Sequence, residues 1–124
     1  MNEQRVLSGL RILVVEDQFL IAMELADQLE EAGCDIVGPA SSVKQALKEM
    51  QQATLDGAVL DINLAGEWSF PIAEILAARG VPFLFLSGYD SRTIVPDQFA
   101  EAPRLPKPVD CETLKKAVAA FRSC

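Results

Sequence analysis

Apolar positions follow two rhythms along this chain. Short unbroken runs at Ile12–Val15, Ala58–Leu60 and Pro82–Leu86 alternate with longer stretches in which apolar residues recur every three or four positions. The first pattern predicts strands buried on both faces, the second amphipathic helices. Phe19 to Ala32 reads as a helix with Ile21, Leu25, Leu29 and Ala32 on one stripe and Glu24, Asp27 and Glu31 outside it; Gly33 ends it. Asp35–Val37 is a short second strand. Ser42 and Gln45 have capping-box spacing and open a helix that buries Val43, Ala46, Leu47 and Met50. Ile62 to Ser69 reads as a loop. Pro71 opens a third helix to about Arg79, and Gly80 stops it. Between Asp90 and Ala102 the helical signal is poor, because Pro96 interrupts it. Leu105 lies in a short strand between prolines. Asp110 caps a last helix with Leu114, Ala117, Val118 and Phe121 on one face.

Five strands alternating with helices predict an α/β fold of (βα)5 type, a doubly wound parallel five-stranded sheet in the flavodoxin-like order 2-1-3-4-5. That fold gives the polar residues at the strand ends a common address. Glu16 and Asp17 follow the first strand, Asp61 the third, Ser87 the fourth and Lys107 the fifth. In a parallel sheet all these ends share one edge, and ligands bind there where the strand order reverses, here between strands 1 and 3. Those two strands carry the carboxylates.

Three converging carboxylates repel one another unless a cation sits among them. Oxygen donors without nitrogen or thiolate suit a hard ion, Mg²⁺ or Mn²⁺. A metal beside Asp61 would keep it ionised and offset charge on a transferring phosphoryl group. Lys107 adds a second positive charge and Ser87 a hydroxyl donor. The set is sufficient for phosphoryl transfer to a carboxylate.

Composition narrows the remaining classes. Half of the 124 residues are hydrophobic and 23% are charged, which suits one globular domain. No apolar run approaches the roughly 20 residues of a membrane span, and residues 1–10 have no signal-peptide core, so a cytoplasmic protein without membrane insertion is expected. A net charge of −7 argues against nucleic acid as a partner. Cys34, Cys111 and Cys124 have no metal-ligand spacing. The chain has no histidine, which excludes histidine triads, histidine-ligated metals and a histidine general base.

The fragments "ILVVED", "VLDINLAG", "LSGY" and "LPKP" occur in order between Arg11 and Phe121. Together they resemble the receiver domains of bacterial two-component response regulators. The resemblance implies residues 1–10 as an N-terminal extension and 11–124 as the receiver domain. It implies Asp61 as phosphoacceptor, with Mg²⁺ held by Asp17, Asp61 and the backbone carbonyl of Asn63, and by Glu16 through water. It also implies Ser87 as the switch hydroxyl, Lys107 as the active-site lysine and a cis peptide before Pro108. The expected partners are a sensor histidine kinase or phosphotransfer protein and a downstream protein target. On this reading the chain is a phosphoacceptor signalling domain, with its own self-phosphorylation and autodephosphorylation chemistry, and not an enzyme.

"GEWSFPIAEIL" and "VPFLFLSGY" look further like a subgroup of stand-alone receivers with a Ser-Gly-Tyr loop, in which a Pro-x-Leu-x-Lys-Pro segment forms strand 5; here it is Pro103 to Pro108. Three positions depart from common receiver patterns: Arg104 replaces the usual strand-5 aromatic, Ala65 a common proline, and Glu16-Asp17 an Asp-Asp pair. With Arg104 there, output is expected through Ser87, Gly88, Tyr89 and Phe99. Two alternatives use similar residues. A haloacid-dehalogenase-type phosphatase also has an Asp nucleophile, Mg²⁺ and Lys, but normally a second acid where Asn63 stands. A pseudo-receiver scaffold would have no need of the acidic set.

Overall fold

The computed structural model describes residues 7–88 and 95–123. Strands β1 (Arg11–Val15), β2 (Asp35–Ala40) and β3 (Gly57–Asp61) alternate with helices α1 (Phe19–Glu31) and α2 (Val43–Gln52). A two-stranded ribbon follows, β4 (Asn63–Leu64) and β5 (Glu67–Trp68), and then α3 (Phe70–Ala78). Strand β6 (Phe83–Ser87), a 3₁₀ turn (Asp97–Phe99), β7 (Arg104–Pro106), α4 (Cys111–Ala119) and a second 3₁₀ turn (Ala120–Ser123) complete the described chain. The main sheet has the order β2-β1-β3-β6-β7 and every pairing in it is parallel. This is the expected 2-1-3-4-5 arrangement, with the ribbon inserted after the third strand.

The unbroken apolar runs are explained by burial of both sheet faces. Alternate side chains point to opposite sides. Leu13, Val15, Ala58, Leu60 and Phe85 enter one core with residues of α2 and α3, whereas Ile12, Val14, Val59, Leu84 and Leu86 enter a second with residues of α1 and α4. Leu7 and Leu10 belong to that second core. Leu7 N–H donates to the Ala32 carbonyl at 3.0 Å, and Gly9 N–H to the Gly33 carbonyl at 3.2 Å. The described part of the predicted N-terminal extension is therefore packed into the domain.

Two local readings change, and the weak helical signal of the fourth crossover is explained. Strand β2 runs on through Gly38-Pro39 to Ala40, with a register shift opposite Val14. A proline is tolerated because β2 is an edge strand. Gly38 has φ +95, and a Cβ there would lie 2.8 Å from Ala40 N and 3.1 Å from the Val14 carbonyl oxygen. The loop after Asp61 is a hairpin whose two central residues, Ala65 (φ 54) and Gly66 (φ 92), both have positive φ, as a two-residue type I′ turn requires. In the fourth crossover the described residues hold no α-helix: Phe99 N–H bonds back to the Pro96 carbonyl at 2.9 Å and only a 3₁₀ turn forms.

The caps follow the sequence more closely. Ser42 Oγ accepts from Gln45 N–H at 3.1 Å, but Gln45 returns its side chain to Ser41 and not to Ser42, so half of the capping box forms. Asp110 accepts from Thr113 N–H at 2.8 Å and starts α4.

A chain of rings links the ribbon to the first core. Trp68 stacks on Phe70 with centroids 5.7 Å apart, and Phe70 stacks on Phe99 at 6.1 Å. Phe83 and Phe85 meet Phe99 edge-on.

Candidate functional site

The shared carboxyl edge of the sheet brings the predicted residues together. Glu16 and Asp17 leave β1, and Asp61 ends β3, the central strand, beside it. Glu16, Asp17 and Asp61 each offer a carboxylate oxygen, and these atoms lie within 4.8 Å of one another. Glu16 and Asp61 are buried, and Asp17 is half-buried. One strand further on, Ser87 ends β6, opposite Pro106. Lys107 follows β7 and reaches back across the sheet edge.

Lys107 is the hub of the electrostatics. Its Nζ lies 2.7 Å from Glu16 Oε1 and donates to Asp61 Oδ2 at 3.0 Å. Burial pulls its pKa down, but hydrogen bonds and charge attraction from Glu16 and Asp61 outweigh that and hold it above 10.5. Glu16 has a second anchor, since its Oε2 accepts from Gln18 N–H at 3.1 Å. The Lys107 N–H also donates to the Ser87 carbonyl at 2.9 Å, and the Lys107–Pro108 peptide is cis.

Ser87 is buried, and its hydroxyl donates to the Leu105 carbonyl at 3.5 Å. That distance is the outer limit of a hydrogen bond, so the hydroxyl is held weakly. Gly88 lines the cleft of about 370 Å³ over the carboxylates, with Asp17, Gln18, Asp61, Ile62, Asn63, Ala65 and Lys107. Tyr89 lies outside the described residues. Phe99 is buried in the first core.

Three carboxylates against one ammonium leave two negative charges in excess, all on oxygen donors. That donor set fits a hard divalent cation. Asp17 is the accessible member, while Lys107 occupies Glu16 and one oxygen of Asp61.

Sequence reasoning did not anticipate the bond from Gln18 to Glu16, the ribbon, or the Phe70 link in the ring stack. It also missed the Asn63 side chain, whose Oδ1 accepts from Gly66 N–H at 2.7 Å. An Asn three positions before a Gly was the available signal, because Asn commonly closes turns through its side chain.

A family model described as response regulator receiver domain matches residues 12–119. The chain belongs to the response regulator receiver family. Relatives of known structure agree with this receiver in fold. SdrG from Sphingomonas melonis Fr1 is 42% identical, with a TM-score of 0.80 over 91% of this chain and 96% of that one. The PhyR receiver domain from Erythrobacter litoralis is 25% identical, with a TM-score of 0.83 over 94% and 92%. Among curated proteins, the sensory transduction protein LytT from Bacillus cereus is 35% identical over 114 residues, 86% of this chain and 46% of its own length. The receiver thus spans about half the length of the curated relatives it matches.

Receiver domains are signalling domains, phosphorylated by histidine kinases, and generally bind Mg²⁺ at an acidic pocket; this receiver has an acidic cluster of Glu16, Asp17 and Asp61. The match does not favour a haloacid-dehalogenase phosphatase. No described helix is long and apolar enough to cross a membrane.

Proposed function

We propose that this receiver accepts a phosphoryl group on the Asp61 carboxylate from the phosphohistidine of a sensor kinase or phosphotransfer protein. The observation that carries this reading is the position of Lys107, 3.0 Å from Asp61 Oδ2 and also ion-paired to Glu16. The lysine has an acceptor to return to when Asp61 changes its charge and shape.

In the transfer, an Asp61 oxygen attacks phosphorus, the phosphorus–nitrogen bond breaks, and its electron pair leaves with the imidazole. The Lys107 ammonium follows the charge from the carboxylate to the phosphoryl oxygens. The Ser87 hydroxyl gives up its weak bond to the Leu105 carbonyl and donates to a phosphoryl oxygen. Asp17, Asp61 and the Asn63 carbonyl would hold Mg²⁺, with Glu16 contributing through water; Mn²⁺ suits the same donors. The cation would neutralise charge that develops on the phosphoryl group.

Movement of Ser87 would carry the change into Gly88 and Tyr89 and from there to the face around Phe99, where a downstream protein would read it. A beryllofluoride-activated conformation of SdrG, a relative 41% identical to this chain, supports the expectation that the receiver changes conformation on activation.

The test is labelling by acetyl phosphate with Mg²⁺, followed by phosphotransfer from candidate kinases. Asp61→Asn keeps the shape and removes the nucleophile, so labelling is lost. Undiminished Mg²⁺-dependent labelling of Asp61→Asn would overturn the assignment.

A further inference from the structure

The hairpin after Asp61 is too small to hold itself. Each strand has two residues, and isolated two-stranded hairpins are marginal even when longer. Its turn places Ala65 at φ 54, a region unfavourable for a residue with a Cβ. Contacts from outside the ladder must therefore hold it. At its base, Ser69 N–H donates to the Ile62 carbonyl at 2.9 Å. Leu64 is buried, and Trp68 stacks on Phe70. At its tip, Asn63 Oδ1 accepts from Gly66 N–H at 2.7 Å. The Asn63 side chain, two residues from Asp61, is thus engaged in closing the turn.

Asn63 pairs directly with Trp68 across the ribbon. One residue therefore begins the peptide that borders the cleft, closes the turn, and pairs across the ribbon with the tryptophan whose ring joins the aromatic stack. We propose that the Asn63 side chain is a positioning group for the cation: by closing the turn at Gly66 it fixes the direction of its own backbone carbonyl toward the acidic cluster. The inference rests on the reading of Glu16, Asp17 and Asp61 as a metal site. An alanine here keeps the carbonyl and loses only the constraint on it.

Mn²⁺ serves as the probe, with the free ion measured by electron paramagnetic resonance in the presence of the full chain. Asn63→Ala weakens Mn²⁺ binding by about tenfold, as loss of an outer partner of a metal ligand does. It also speeds hydrogen exchange at the Gly66 amide and shifts the emission of Trp68, the single tryptophan. Asn63→Ser retains a shorter acceptor and falls between Ala and the wild type in all three readouts, and it carries the test should Asn63→Ala fail to fold. Mn²⁺ affinity within twofold of wild type in both variants, or unchanged Gly66 exchange, overturns the proposal. Asp17→Ala separates the two levels. If it binds Mn²⁺ as the wild type does, or if the wild type binds none, the metal site itself is wrong. If Asp17→Ala abolishes binding while the Asn63 variants bind normally, the positioning role alone fails.

Discussion

Replacing Lys107 with methionine isolates the electrostatics of the site, because the side chain keeps its length and loses its charge. In the wild type the Lys107 ammonium lies 2.7 Å from Glu16 and 3.0 Å from Asp61. The Glu16 side chain is 0% exposed, that of Asp61 7% and that of Lys107 16%. Removing one partner of a fully buried pair costs roughly 3–5 kcal/mol, because the other charge is left uncompensated. The lysine retains some solvent, which screens the interaction, so a loss of about 2 kcal/mol is expected without divalent ions. For a domain of this size that lowers Tm by roughly 8 °C. Two conditions should reverse the loss. Adding Glu16→Gln to Lys107→Met removes the stranded charge and recovers part of the stability. Mg²⁺ stabilises Lys107→Met at least as much as it does the wild type, since the cluster has become more negative. The pH dependence has a defined sign. A folded-state pKa raised above 10.5 means that the lysine's contribution is fully present below 10.5 and lost as pH rises through the higher folded value. The gap between wild type and Lys107→Met therefore stays constant from pH 7 to 10 and closes at higher pH. Thermal unfolding monitored by circular dichroism measures all of this. A Lys107→Met protein as stable as wild type in chelator at pH 7 would refute the reasoning, as would a gap that widens above pH 10.5.

Other outcomes follow from the same geometry. Mg²⁺ at ten times its Kd stabilises the wild type by about 1.4 kcal/mol, and Asp17→Ala abolishes that rise in Tm; an equal response in both proteins would count against the acidic cluster. Gly57→Ala places a Cβ 2.6 Å from Phe121 Cε2, an overpacking cost of about 1–3 kcal/mol visible as a lower urea midpoint, and an unchanged midpoint would show that the ring moves freely. Beryllofluoride alters hydrogen exchange most between Ser87 and Ala102, and Ser87→Ala blunts that change while Asp61 still accepts phosphate; a change confined to α1 and α2 would rule out this output route.

Much of this protein was legible in one dimension. The strands were readable as unbroken apolar runs because a sheet covered on both faces gives neighbouring residues no polar side to show. Leu13 and Val14 face different cores, yet both are fully buried. Strand order then followed from general rules of parallel sheets, and the polar residues at the strand ends followed from strand order. Glu16, Asp17, Asp61, Ser87 and Lys107 could be grouped without knowing any distance between them. Ser42 and Asp110 were readable as caps because capping is a contact across three residues.

Tertiary structure decided what depends on pairs distant in sequence. No periodicity indicates that Lys107 spans 91 positions to meet Glu16, since that contact needs the register of four strands at once. Gly38-Pro39 reads locally as a break, but the chain continues as a strand because β2 lies at the sheet edge and a bulge absorbs the proline. Leu7 and Leu10 carry no helical or strand rhythm, and only their burial in the second core makes them part of the domain. The ring stack from Trp68 to Phe99 joins residues 31 positions apart, on elements whose packing no local pattern encodes. Local patterns state which side of an element is apolar; which apolar sides meet, and at what offset, is settled only when the whole sheet closes its register.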